Sequence, residues 1–211
     1  LFFDGELLVS GVGALVPTVA QWDYLVGYIE PSGGLYEPAF LPDFSGVRPE
    51  WTTISFDEGS WEYGKGPLGY DAGDDYVLGK NLVSEMRKVT ASLYMRQTFH
   101  LDPSGDDHNN NVVLTVDYDD GFIAYLNGVE ILRRNIGTKG DFQPYTATAK
   151  GEHGASMDAG HNRRAAIETI ILDRHLLRPG ANVLSAQLHN SHKSSTDLLL
   201  SMDLKTIGNE S

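Results

Sequence analysis

Cysteine is missing from all 211 residues, so this chain has neither a disulfide framework nor thiolate chemistry to draw on. That rules out a disulfide-stapled scaffold without fixing a compartment, since large secreted domains also do without it. Basic side chains are scarce, 16 against 29 acidic, which leaves a net charge of −13. Such a field repels nucleic acid and anionic lipid and favours cations such as Ca²⁺, although solubility alone explains it as well. No apolar run approaches the roughly 20 residues that cross a bilayer as a helix, so no membrane insertion is expected. Leu1 stands where a Met would begin a chain, and Leu1-Phe2-Phe3 carries no basic residue. The expectation is a piece of a longer or processed polypeptide.

What is present is β pattern. The stretch 112–133, VVLTVDYDDGFIAYLNGVEILR, alternates Val112, Leu114 and Val116 with Val113, Thr115 and Asp117, the period of a strand with one buried face. Asp119-Asp120-Gly121 breaks it, Phe122 to Leu126 resumes it, and Asn127-Gly128 is the signature of a two-residue type I′ hairpin turn. Further strands are expected at 22–26, 51–56, 93–101, 167–172, 182–189 and 197–204. Leu82 to Lys88 reads as one or two helical turns, and Asp173 as a cap for a short turn that Pro179-Gly180 ends. Residues 31–50, with four prolines, form a long irregular loop, and 102–111 and 137–162 are polar, glycine-containing connections. Short strands, turn signals and almost no helical periodicity predict one all-β domain over 1–211, an antiparallel sandwich or barrel.

Four motifs carry a family resemblance. Trp61-Glu62-Tyr63-Gly64 with Gly66-Pro67-Leu68-Gly69-Tyr70-Asp71 is similar to a "W-x-x-G-x-x-P-L-G-Y-G" segment, and Tyr94 to Phe99 to a "Y-F-R-x-x-F" strand. Asp119-Asp120-Gly121 with Tyr125-Leu126-Asn127-Gly128 matches "D-D-G-x-x-x-Y-L-N-G". Gly180 to Leu184, His189 and Ser194-Ser195-Thr196-Asp197 match the motif that ends in "S-S-D". Over about 22–204 the chain resembles the galactose-binding-domain-like jelly-roll modules of large secreted bacterial proteins, often found beside calcineurin-like phosphoesterases. The resemblance implies an extracellular or cell-surface accessory module that binds carbohydrate. Asp71 departs from the family's Gly, and loops 31–50 and 137–162 depart from its pattern.

Several groups invite chemistry. Gly64 to Gly69 spells G-x-G-x-x-G, but Pro67 and the residues after it open no helix, so a dinucleotide site is rejected. Asp102, Asp106 and Asp107 in one turn, and Asp74 and Asp75 beside Asp71 in another, gather the hard oxygen ligands that calcium takes. Asp and Asn also populate turns for backbone reasons, and neither cluster is an EF-hand loop. Asp119 and Asp120 are placed to meet sugar hydroxyls or a cation, or else to cap backbone N–H groups. His189 with Ser194, Ser195 and Asp197 suggests a hydrolase triad on paper. Without a nucleophile elbow or oxyanion loop, a loop-ordering network explains them better. Tyr36 and Tyr70, in Pro/Gly-rich segments, are the candidate aromatic platforms.

The resulting expectation is a non-catalytic glycan- or polysaccharide-binding module, attached to neighbouring domains of a parent protein, with structural Ca²⁺. Its ligand-binding residues are Tyr36, Tyr70, Asp71, Asp119, Asp120, His189 and Asp197, and its metal residues Asp74, Asp75, Asp102, Asp106 and Asp107. The alternative is a structural or adhesive module that binds a protein partner and has no sugar site.

Overall fold

The computed structural model describes residues 2–3, 6–7, 13–31, 36–38, 47–73, 76–101, 111–156 and 166–208. In chain order the strands are β1 (Phe2–Phe3), β2 (Glu6–Leu7), β3 (Gly13–Val16), β4 (Gln21–Val26), β5 (Tyr36–Pro38), β6 (Val47–Pro49), β7 (Glu62–Lys65), β8 (Leu68–Asp71) and β9 (Lys80–Asn81). They continue with β10 (Ser92–Leu101), β11 (Asn111–Asp119), β12 (Gly121–Leu126), β13 (Val129–Arg134), β14 (Glu168–Leu172), β15 (Gly180–His189) and β16 (Asp197–Ile207). One six-stranded sheet runs β13-β12-β15-β10-β4-β7. The other is built on β14-β11-β16-β8-β9, with β3 also paired to β16. All pairings are antiparallel except β8 with β9. The chain is a β-sandwich.

Side chains at alternate positions of both sheets fill the space between them. Trp22, Tyr24, Leu93, Met95, Phe122, Leu184 and Leu188 from one sheet meet Leu68, Tyr70, Leu114, Val116, Leu198 and Leu200 from the other. The six-stranded sheet is covered on its outer face too. Tyr94, Ile123 and Tyr125 point away from the main core and pack with Trp51 and Ile136. This second layer is why β12 is buried at every position, although only one of its faces was expected to be.

The 51–56 segment corrects the sequence reading. Glu50–Thr52 is a 3-10 turn rather than a strand. The hydroxyls of Thr52 and Thr53 donate to the Pro49 and Glu50 carbonyls at 2.6 and 2.8 Å, and these local bonds outcompete strand pairing. The turn sets Trp51 edge-on against Tyr94 and Tyr125, ring centroids 5.2 and 5.7 Å away. Buried Arg96 holds the loop down, with Nη1 2.6 Å from Glu58 and Nη2 donating to the Thr53 carbonyl.

Asp120 marks the place where the chain changes sheets. Asp119 still pairs with Leu199 in one sheet, while Gly121 pairs with His189 in the other. The end of β11 and the start of β12 therefore lie beside the end of β15 and the start of β16, where Asp197 pairs with Asp71 at the end of β8. Gly69 permits that last pairing, since a Cβ there would sit 1.9 Å from the Leu198 carbonyl oxygen. Asn127-Gly128 lies at the other end of β12 and turns with positive φ at both residues, as a type I′ hairpin requires.

Candidate ligand cleft

The strand ends that meet at Asp120 bring the polar residues of three separate segments to one end of the sandwich. Asp119, Asp120, Glu152, His153, Gly154, His192, the 194–196 hydroxyl run and Asp197 line an open cleft of about 280 Å³. Among the described residues no lysine or arginine lines it. Two loops form its walls, and Asp120 braces both, accepting from the His153 amide at 2.7 Å on one oxygen and the Ser191 amide at 2.8 Å on the other. The His153 ring lies flat on Tyr118, centroids 4.0 Å apart, which fixes that wall to β11. Asp117 holds the same segment further along, accepting from the Ser156 amide and hydroxyl.

Asp119 differs from these anchors. It is 4% exposed, and its Oδ2 accepts from the Tyr76 hydroxyl at 2.8 Å. Its Oδ1 is buried with no donor facing it. Burial above all, then the neighbouring Asp120 and Asp197 carboxylates, raise its pKa to about 9, so the group keeps its proton at neutral pH. The retained proton is shared toward Asp120. Asp197 is half-buried, and its Oδ1 accepts from the Ser195 and Thr196 hydroxyls at 3.1 and 3.3 Å. Burial raises its pKa against the lowering effect of those bonds, and Asp120 and Asp71 push it further up. At the mouth His192 stands half-exposed, with its Nδ1 3.3 Å from the Ser194 hydroxyl and its Nε2 3.8 Å from Glu152.

The structure separates the residues singled out in the sequence. Asp119, Asp120 and Asp197 line the cleft together. Asp71 lies just behind it, its carboxylate oxygens accepting from the Gly73 and Tyr76 amides, which makes it a loop anchor. Tyr70 is no platform: it is fully buried in the core, because β8 is an interior strand here rather than a loop, and its hydroxyl bonds to Asn190 and the Ser195 carbonyl. His189 is no ligand residue either. It is fully buried, contacts the Ala147 carbonyl through Nδ1, and burial depresses its pKa to about 4. Its partner is that carbonyl, whereas Asp197 takes the Ser195 and Thr196 hydroxyls.

Tyr36 lies in β5, but its side chain falls outside the described residues, as do Asp74, Asp75, Asp102, Asp106 and Asp107. Among the described residues no group of three or more His, Asp or Glu is arranged to hold a metal ion. Among the described residues the exposed tyrosines are Tyr28 and Tyr63, and neither lines the cleft. Glu152 and His153 also line the cleft, and nothing local in their sequence marks them as site residues.

No family model and no curated protein matches the sequence. Solved structures do share its fold. A β-glucuronidase from Bacteroides uniformis superposes with a TM-score of 0.52 at 12% identity, covering 94% of this chain and 18% of that one. A β-glucuronidase from glycoside hydrolase family 2 gives 0.51 at 12%, covering 96% and 18%. One from an uncultured Clostridium species gives 0.51 at 11%, covering 100% and 31%. The shared feature is the β-sandwich. At these identities the likeness concerns fold alone, and this chain spans under a third of each of those proteins.

Proposed function

We propose that this sandwich is a non-catalytic carbohydrate-binding module of a larger extracellular or cell-surface protein, and that the cleft is where it takes its glycan. The observation that carries this reading is the cleft lining. Hydroxyls of Ser194, Ser195 and Thr196, the imidazoles of His153 and His192 and the carboxylate of Asp197 converge at one end, the mixed donors and acceptors that sugar hydroxyls require. The solved structures with this fold include β-glucuronidases, which makes a carbohydrate context the natural one for this sandwich. Asp119 has the raised pKa of a general acid, but its carboxyl is buried and held by Tyr76, out of reach of a glycosidic oxygen. Structural calcium belongs to the same proposal and would fall to the acid-rich turns at 74–75 and 102–107.

The test is calorimetric titration with a panel of neutral and charged oligosaccharides, alongside thermal melts with Ca²⁺ and with EDTA. A saturating glycan at 100 times its Kd adds ~2.7 kcal/mol to the native state. Binding that His192→Ala and Thr196→Ala abolish without lowering the unligated Tm is the expected result. A panel without binders refutes the glycan reading in favour of a structural module, and a melt indifferent to EDTA removes the calcium.

A further inference from the structure

Beside the acidic cleft lies a pocket of the opposite sign. It occupies about 300 Å³ along β13 and the turn after it, and Glu130, Arg133, Arg134, Asn135, Lys139 and Lys150 are among its lining residues. Four of the chain's 16 basic side chains gather here, on a protein whose net charge is −13. Glu130, the acid in this lining, is already engaged: it takes Nε and Nη2 of Arg133 at 2.9 and 2.8 Å and the Gly140 amide at 3.0 Å. Arg134 is engaged in the same way by Glu168. Lys139 and Lys150 are exposed and, among the described residues, have no acid partner. Between them Arg133 keeps a further donor group, Nη1, which is buried and meets no acceptor among the described residues. A charged donor in that state is costly unless an acceptor reaches it.

Both lysines stand on backbone that is fixed to β13. The Gly140 amide bond to Glu130 and the bond from Arg133 Nη2 to the Asp141 carbonyl hold the turn that carries Lys139. Asn135 holds Lys150, accepting from its amide at 2.7 Å and donating through its own side chain to the Gly151 carbonyl at 2.7 Å. The same side chain donates to the carbonyl of Asp120 in the cleft wall, so one residue ties the two pockets together. Only Gly151 separates Lys150 from Glu152 of the cleft. A Cβ on Gly151 would meet nothing within 4 Å, so the ridge between the pockets is open for a ligand to lie across.

From this juxtaposition we propose that the basic pocket receives the anionic substituent of a glycan, a carboxylate or a sulfate ester, whose neighbouring sugar occupies the cleft. The proposal rests on the reading of the cleft as a glycan site and names the class of glycan it takes. An oxyanion accepts from several directions at once, and charge-assisted donors on three sides supply that, whereas a neutral hydroxyl leaves two ammonium charges unmatched.

The experiment titrates the intact protein at neutral pH with two matched pairs of tetrasaccharides. One pair is uronate-containing and carboxyl-reduced, the other a sulfated galactan and its desulfated form; tetraglutamate and sodium sulfate complete the set. One acidic sugar should bind at least roughly tenfold tighter than its neutral counterpart, the discrimination expected of a hydrogen bond to a charged group, and which pair discriminates names the substituent. Lys139→Gln combined with Lys150→Gln should erase the difference while leaving the unligated Tm and the affinity for the neutral sugar unchanged. His192→Ala should weaken both members of the pair. Raising NaCl from about 20 to about 200 mM should weaken the acidic sugar alone. Equal affinity within both pairs overturns the anion pocket but leaves the glycan reading standing, and no binding of any sugar removes both. Tetraglutamate or sodium sulfate binding as tightly as the acidic sugar assigns the pocket to a peptide or a simple ion and refutes the proposal. So does acidic-sugar binding that the lysine variant abolishes and His192→Ala leaves intact, since the two pockets then share no ligand.

Discussion

The Tyr76 hydroxyl hydrogen-bonds Asp119 Oδ2 at 2.8 Å and closes a buried link between the segment after β8 and the end of β11. The link is not that of a phenol to a simple anion. Burial above all, then Asp120 and Asp197 beside it, keep the proton on Asp119 up to about pH 9, and burial first, then Asp119, pushes the Tyr76 hydroxyl up.

This predicts an alkaline loss of stability. A carboxyl with a pKa near 3.8 unfolded and about 9 folded binds one more proton in the native state between those values. Native stability therefore falls as pH rises through that window, by at most about 1.4 kcal/mol per pH unit from this group. Asp119→Asn removes the titration, so Tm measured from pH 5 to 9 should decline less steeply than in the wild type.

His189 predicts the opposite on the acid side. Its pKa lies near 4 folded against about 6.5 unfolded, so the unfolded chain binds the extra proton between them. The stability it contributes is present above pH 6.5 and is lost as pH falls toward 4. His189→Gln should lower the Tm at pH 7, through the lost contact to Ala147, yet flatten its fall between pH 6.5 and 4.5.

Arg96→Met tests the loop lock. The guanidinium is buried against Glu58, the Thr53 carbonyl and the face of Phe56. Its removal leaves those acceptors unmet, and the expected cost by denaturant titration is about 3 kcal/mol. A shift in tryptophan emission should accompany it, as Trp51 and Trp61 sit in the same layer.

Asn127→Ala tests the far end of the sandwich. Asn127 donates to the Leu176 carbonyl and Asn182, accepts from the Val183 amide, and adopts positive φ. Losing all of these should cost about 2–3 kcal/mol in chemical denaturation, without affecting ligands at the cleft end.

The alternation of 112–133, the Asn-Gly turn and the spacing of 182–189 and 197–204 made the all-β sandwich legible, because strand period and turn chemistry are local properties. The same local reading failed at Trp51, where threonine hydroxyls tie up the backbone, and at Tyr70, where a glycine-rich segment is an interior strand made possible by Gly69. It did not separate Asp119 from Asp71, Asp117 and Asp120, since all are acids at strand ends. Nor did it show that the outer face of β12 is covered.

The sequence by itself determined a strand-rich, acidic, cysteine-free chain with its hairpin and its breaks in place. Which side chains share the cleft was decided only by the tertiary structure. The chain switches sheets at Asp120, and that crossing sets the ends of β8, β11 and β15 beside the start of β16, bringing Asp119 and Asp197, 78 positions apart, into one cleft. Burial and donor count follow from that packing, and they, rather than residue type, distinguish an aspartate that anchors a loop from one that keeps its proton.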